Sequence, residues 1–315
     1  MALVRNGILA RCAENREGNQ LMSDPQQRRA IRLGLTAVAL WSTAATAFKL
    51  ALGYLTPLQL VTLATLVSWC FLALRLLNAE RWQGLQATSQ RERLHCLLLG
   101  WLNPCLYYLV LFAAYERLPA QEAMAINYSW GLTLALMAAP LLGQKVSPRA
   151  LLSAGISYVG ILIIATRGAP ASLDFAEPWG VGLALLSTVL WSLYWVMNTR
   201  TTVAPEAGLF LNFSGALPVL LLLCTLAGTP LPDGWEGWAG GVYVGLFEMG
   251  AAFILWLGAM KAARSTLTIS SLIFLSPPLS LLFIWLIAGE PLEQHTLFGL
   301  GLILLGLWMQ HRRSN

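Results

Sequence analysis

From Leu33 onward the chain is a succession of long apolar stretches. Each is close to the ~20 residues that an α-helix needs to cross a hydrocarbon core at about 1.5 Å per residue. Ten can be marked: Leu33–Leu52, Pro57–Leu77, Leu94–Ala114, Ala120–Leu142, Pro148–Thr166, Trp179–Met197, Ala207–Leu226, Gly237–Met260, Thr266–Ala288 and Thr296–Met309. In lipid every backbone polar group must be paired internally, which stretches of this length achieve as helices. The expected fold is an all-α integral membrane protein with ten transmembrane helices. Turn residues fill the short breaks (Gly53, Pro119, Gly143, Gly168–Pro170, Gly228–Gly234, Gly289–Pro291), leaving no room for a soluble domain.

Composition agrees. Of 315 residues, 57% are apolar and 11% charged, and the mean hydropathy is +0.63, whereas soluble domains run nearer about 45–50% and about 25%. A secreted disulfide scaffold, a disordered chain and a soluble nucleotide-binding enzyme are excluded. The net charge of +5 suggests nucleic acid at first sight, but the basic residues stand at helix ends rather than in a patch, so none is expected as a partner. The five cysteines (Cys12, Cys70, Cys96, Cys105, Cys224) include no C-x-x-C pair and read as buried thiols.

Lysine and arginine placement orients the chain. With the N-terminus inside, cytoplasmic segments collect seventeen of the twenty basic residues: Arg5, Arg11, Arg16, Arg28, Arg29, Arg32, Arg75, Arg81, Arg91, Arg93, Lys145, Arg149, Arg200, Lys261, Arg264, Arg312 and Arg313. Outer segments keep Arg117 and Arg167, and hold eight acids, among them Asp174, Glu177, Asp233, Glu236, Glu290 and Glu293. Both termini are therefore expected in the cytoplasm. Residues 1–31, polar and basic without an apolar core, read as a cytoplasmic tail rather than a signal peptide.

The chain also matches itself at a shift near 146–150 residues. Leu40, Trp41 and Ser42 fall on Leu190, Trp191 and Ser192; Gly143, Gly155 and Gly160 fall on Gly289, Gly301 and Gly306. The repeating unit holds five spans, an odd number, so the second copy enters the membrane upside down. This divides the chain into a first five-helix repeat (32–167), an outer linker (168–178) and a second repeat (179–313). Inverted-topology repeats are a hallmark of secondary transporters, whose substrate site lies near the midplane between the halves. An enzyme is not expected. The aspartates lie in tails and loops, His95, His295 and His311 stand apart without an H-E-x-x-H spacing, and neither G-x-S-x-G nor a phosphate-cradling G-x-x-x-x-G-K-[ST] occurs. No cofactor or metal is implied.

The segment GAMKAARSTLTISSLIFLSPPLSLLFIWLIAGEPLEQHTLFGLGLILLGL, Gly258 to Leu307, resembles the second repeat of the drug/metabolite transporter superfamily of EamA type. AINYSWGLTLALMAAPLLGQKVSPRALLSAGISYVGILIIATRG is similar to its first repeat. Within it, Ile126 to Lys145 and Leu40 to Thr43 look most like the bacterial aromatic amino-acid exporters, with Gln144 where many relatives carry Glu. The resemblance implies proton- or gradient-linked export of small metabolites by alternating access in the bacterial inner membrane. Aromatic and other neutral amino acids lead as substrates, another metabolite or drug or a passive channel being the alternative.

Charges inside spans are expensive and mark functional candidates. Glu248 lies roughly 16 Å along its span by helical rise, suited to a substrate ammonium, a proton relay or a buried structural carboxyl. Lys49, near the outer end of the first span, reads as a snorkelling anchor. An amino-acid pocket needs amide or carboxyl groups for the zwitterion and flat walls for the side chain. Trp41, Asn103, Tyr107, Tyr108, Asn127, Tyr128, Trp191, Tyr194 and Glu248 are the substrate-binding candidates. Pro277 and Pro278 are hinge candidates, because prolines within a span remove a backbone donor. Trp82, Trp179, Trp235 and Trp238 read as interfacial belt residues. Gly155, Gly160, Gly301 and Gly306 read as close-packing positions, in a monomer or a weak homodimer.

Overall fold

A computed structural model describes residues 24–142, 148–171, 177–198, 201–263, 269 and 272–311. The tail to residue 23 with Cys12, the turn at Gly143, and Gln144, Lys145, Asp174, Arg200, Arg264, Thr266, Arg312 and Arg313 lie outside the described residues, as does the side chain of Arg149. Among the described residues all regular structure is helical.

Six runs are long and apolar enough to cross a membrane. The first, Pro25–Ala51, comprises α1 (Pro25–Ser42) and α2 (Ala44–Ala51) and opens with Asp24 capping the Gln26 and Gln27 amides. The second is α3 (Pro57–Leu76), started by a reciprocal Thr56–Gln59 capping box. A short helix, α4 (Ala79–Ala87), follows between the second and third runs; Asn78 caps it and Glu80 lies in its first turn. The third run holds α5 (Gln90–Gly100), a widened turn (Trp101–Leu106) and α6 (Tyr107–Arg117). Asn103 there is extended at φ −142°, ψ 120°, as a residue preceding proline tends to be. The fourth and fifth are α10 (Pro178–Asn198) and α11 (Pro205–Leu226), the latter helical through Pro218. The sixth joins α12 (Trp235–Tyr243), a widened turn (Val244–Ala251) and α13 (Ala252–Ala262).

The other helices are shorter or interrupted. They are α7 (Ala120–Asn127), α8 (Trp130–Leu142), α9 (Pro148–Ala165), α14 (Ser276–Phe283) and α15 (Gln294–His311). A tight 3₁₀ turn, Leu272–Leu275, leads into α14, so Pro277 and Pro278 occupy its first turn rather than mid-helix, where a missing N–H costs nothing. The segment ends at Gly289, whose φ of 69° is the left-handed conformation glycine adopts cheaply.

Packing follows side-chain size. α9 lies along α15, α1 along α13, α11 between α3 and α5, and α10 against α6 and α8. In the α9–α15 pair a Cβ on Gly299 would sit 2.6 Å from the Gly160 carbonyl, and one on Gly306 would overlap Ser157. Gly155 and Gly301 face open space, so only half of the expected close-packing glycines serve that purpose. Leu74, Leu222, Trp285 and Phe298 are more than half exposed, the apolar exterior that lipid contact requires. Trp82, Trp179, Trp235 and Trp238 are also exposed.

Lys49 differs from expectation. Its Nζ donates to the carbonyls of Tyr115 (3.2 Å) and Leu118 (2.9 Å). It caps the C-terminal end of α6, where a cation also meets the negative end of the helix dipole.

Candidate functional site

The central feature is a cavity of about 520 Å³ between α1–α2, α6, α7–α8, α10, the Glu248 turn, α13 and α14. Of the nine candidates, Trp41, Tyr107, Asn127, Tyr128, Trp191 and Glu248 line it. Tyr108, Tyr194 and Asn103 do not: they stand one layer behind. The Tyr108 hydroxyl donates to Glu248 Oε1 at 3.2 Å. Tyr194 stacks behind Trp191, ring centroids 5.8 Å apart, and its hydroxyl donates to Asn212 Oδ1 at 2.8 Å. The Asn212 amide in turn donates to the Cys96 carbonyl at 2.7 Å, and Asn103 reaches the Tyr194 hydroxyl.

Aromatic rings form the walls. Trp41 and Trp191, equivalent positions in the self-match, meet Phe253 edge-on at 5.7 and 5.8 Å. Tyr107 lies 4.7 Å from Trp191, Trp195 meets Trp191 at 5.8 Å, and Trp256 tilts against Trp41 at 5.4 Å. Phe48, Tyr115, Trp130, Trp195, Phe253 and Trp256, none of them among the nine candidates, also line the space. For Trp195 a signal existed: it follows Trp191 by four residues and so shares its helix face.

The polar inventory is small. Glu248 sits in the widened turn; Oε1 has the Tyr108 bond and Oε2 has no hydrogen-bond partner. Among the described residues no lysine, arginine or histidine forms an ion pair with it. Asn127 Nδ2 donates to Ser187 Oγ at 2.9 Å, and its side chain also meets the Tyr107 hydroxyl. The Tyr128 hydroxyl donates to Ser276 Oγ, which Ser42 also reaches at 3.3 Å, while Ser280 Oγ donates to the Ser42 carbonyl at 2.9 Å. The C-terminal end of α1 is thus tied to α14 through small hydroxyls beside the cavity. Among the described residues no cluster suited to a metal ion occurs.

The two ends of the cavity differ. At the end near Leu118, Phe48, Tyr115 and Met124 are 3%, 3% and 2% exposed. There Ala120 N donates to Glu290 Oε1 (3.1 Å), Gln121 Nε2 to the Pro291 carbonyl (2.7 Å) and Glu293 N to Gln121 Oε1 (3.1 Å). Glu122, itself buried, faces Arg167 at 3.6 Å and His295 at 3.7 Å. At the other end Trp195, Trp256, Met260 and Ile273 are only half-buried.

Comparison with known proteins adds the following. A model described as the EamA-like transporter family matches twice, over residues 28–166 and 178–310. A protein of Ancylobacter novellus named aromatic amino acid exporter YddG is 29% identical over 263 residues, 82% of this chain and 88% of that protein. An uncharacterized transporter of Clostridium kluyveri is 27% identical over 175 residues, a match spanning 53% of this chain and 55% of that one. Protein PecM of Dickeya dadantii is 28% identical over 67% of this chain and 71% of its own length. A crystal structure covering 91% of this chain and 98% of its own superposes with a TM-score of 0.61 at 24% identity, a likeness of fold alone.

Proposed function

Because the chain belongs to the EamA-like transporter family, we propose that it is a secondary exporter of small metabolites, foremost aromatic and other neutral amino acids. It works by alternating access in the bacterial inner membrane, with both termini in the cytoplasm. The observation that carries this reading is the cavity itself: largely aromatic walls, one carboxylate with no cationic partner among the described residues, and one amide. Glu248 offers its carboxylate to a substrate ammonium or to a proton, Asn127 hydrogen-bonds the substrate's polar end, and Trp41, Trp191 and Phe253 take its ring.

Ten spans in two inverted halves give the mechanism its geometry. Two family matches in tandem support the duplication. So does the packing, since exchanging the halves turns the α1–α13 contact into the α10–α6 contact and leaves α9 on α15. The buried outer end and half-buried inner end correspond to an inward-facing state, whose opening to the outside requires the Gln121–Pro291 and Glu122–Arg167 contacts to part.

Proteoliposomes loaded with labelled phenylalanine or tryptophan provide the test. Purified protein is expected to release both down a gradient, and failure to move these or other neutral amino acids refutes the substrate assignment. Glu248→Gln, assayed across a pH series, is expected to flatten the pH dependence of transport. An unchanged profile removes the proton role.

A further inference from the structure

On the face where α1 begins and α3 and α13 end, two adjoining clefts of about 400 and 310 Å³ share Arg81, Pro205, Glu206 and Lys261. Four cations converge there from separate elements: Arg29 of α1, Arg75 in the last turn of α3, Arg81 of α4 and Lys261 in the last turn of α13. The acids facing them are Glu206 and Glu80. Glu206 is already divided between Arg75 Nη2 (3.0 Å) and Arg81 Nε (2.9 Å), and Arg81 Nη1 donates to the Arg75 carbonyl at 3.2 Å. Arg75 Nε is buried with no hydrogen-bond partner. Arg29 and Lys261 are exposed and form no ion pair among the described residues. The remaining wall is aliphatic, from Leu33, Ile254, Leu255 and Leu257.

We propose that these clefts bind the phosphate headgroup of an anionic phospholipid. Arg29, Arg81 and Lys261 surround the phosphodiester oxygens, and the first acyl carbons lie along Leu33, Ile254 and Leu257. Guanidinium forks match phosphate oxygens in pairs, and basic pockets between helices at the membrane surface suit acidic headgroups. The aliphatic wall separates a lipid from free phosphate, which has nothing to place against it. The headgroup bridges elements on either side of residue 167, α1, α3 and α4 before it and α11 and α13 after it, so binding ties the two parts of the chain at this face. The site stands independently of the transport reading; only its assignment to the cytoplasmic leaflet rests on the proposed orientation.

Thermal unfolding of the purified full-length protein in mild detergent, titrated with phosphatidylglycerol, phosphatidylcholine or inorganic phosphate, tests the site. Phosphatidylglycerol is expected to raise the midpoint saturably, while the other two do not. Lys261→Ala, at an exposed position with no ion pair among the described residues, is expected to weaken apparent phosphatidylglycerol affinity about fivefold. Arg91→Ala removes the same charge from an exposed residue outside the clefts and is expected to leave it unchanged. Equal shifts with phosphatidylcholine, an equal shift with phosphate alone, or equal losses in the two variants would each overturn the proposal.

Discussion

The Tyr108–Glu248 contact is the site's most exposed flank to experiment. The tyrosine is 2% exposed, and its hydroxyl gives Glu248 the one hydrogen bond that either carboxylate oxygen receives among the described residues. Tyr108→Phe keeps the ring's packing against Phe48 and Phe112, at 6.5 and 5.3 Å, and removes only the donor. A hydrogen bond to a charged group contributes roughly 1.5–3 kcal/mol and a neutral one about 1 kcal/mol, so the variant is expected to lose about 1–3 kcal/mol of stability. In a Glu248→Leu background the hydroxyl is already orphaned, and the same substitution is expected to be neutral or stabilising. Reversible unfolding in mixed detergent–dodecyl sulfate micelles, followed by tryptophan fluorescence, gives all four corners of the cycle. The reasoning predicts a coupling of at least about 1 kcal/mol, within the range for residues in contact. If Tyr108→Phe costs the same in both backgrounds, the hydroxyl does not support the carboxylate and the second layer behind the cavity has no bearing on it.

Three further outcomes are expected. Gly306→Leu, whose first added carbon meets Ser157, should cost about 1–3 kcal/mol by overpacking. Gly301→Leu on the same helix, with nothing within 4 Å, should stay within about 0.5 kcal/mol, both read by the same unfolding titration. Lys49→Met forfeits two bonds to carbonyls at the end of α6 and should lose about 1–3 kcal/mol, with partial recovery in Lys49→Arg. Gln121→Leu cuts two hydrogen bonds over the Leu118 end of the cavity, about 2 kcal/mol in all. It should speed labelling, by a membrane-impermeant reagent added on that side, of a Phe48→Cys thiol beneath that end.

Much of the helical layout was legible in the sequence because lipid imposes length and apolarity on every crossing segment. The pocket was legible only where a residue stood out from that background. Glu248 did so as a charge and Asn127 as an amide, while Trp41 and Trp191 did so by falling on each other in the self-match. Phe253 and Trp256 did not, because α13 is apolar on all faces as far as Lys261 and no periodicity marks the face turned inward. Asn103, Tyr108 and Tyr194 carry the right chemistry, yet helix rotation puts the two tyrosines behind the walls, and the widened turn does the same for Asn103. Lys49 was misread for a related reason: sequence shows its depth, but the carbonyls it meets belong to a helix that is distant in the chain. The short helix α4 was not legible because its nine residues mix polar and apolar side chains without an apolar run and its start depends on a single cap.

The α9–α15 pairing bears on how the protein is made. α9 packs chiefly against α15, which leaves the ribosome long after it. At about 5–20 residues per second, its glycine and serine edge waits on the order of ten seconds in the nascent chain for a mate. Chains cut short before Gln294 would leave that edge bare in the bilayer, a ready mark for quality-control proteases and an invitation to pair with the wrong neighbour.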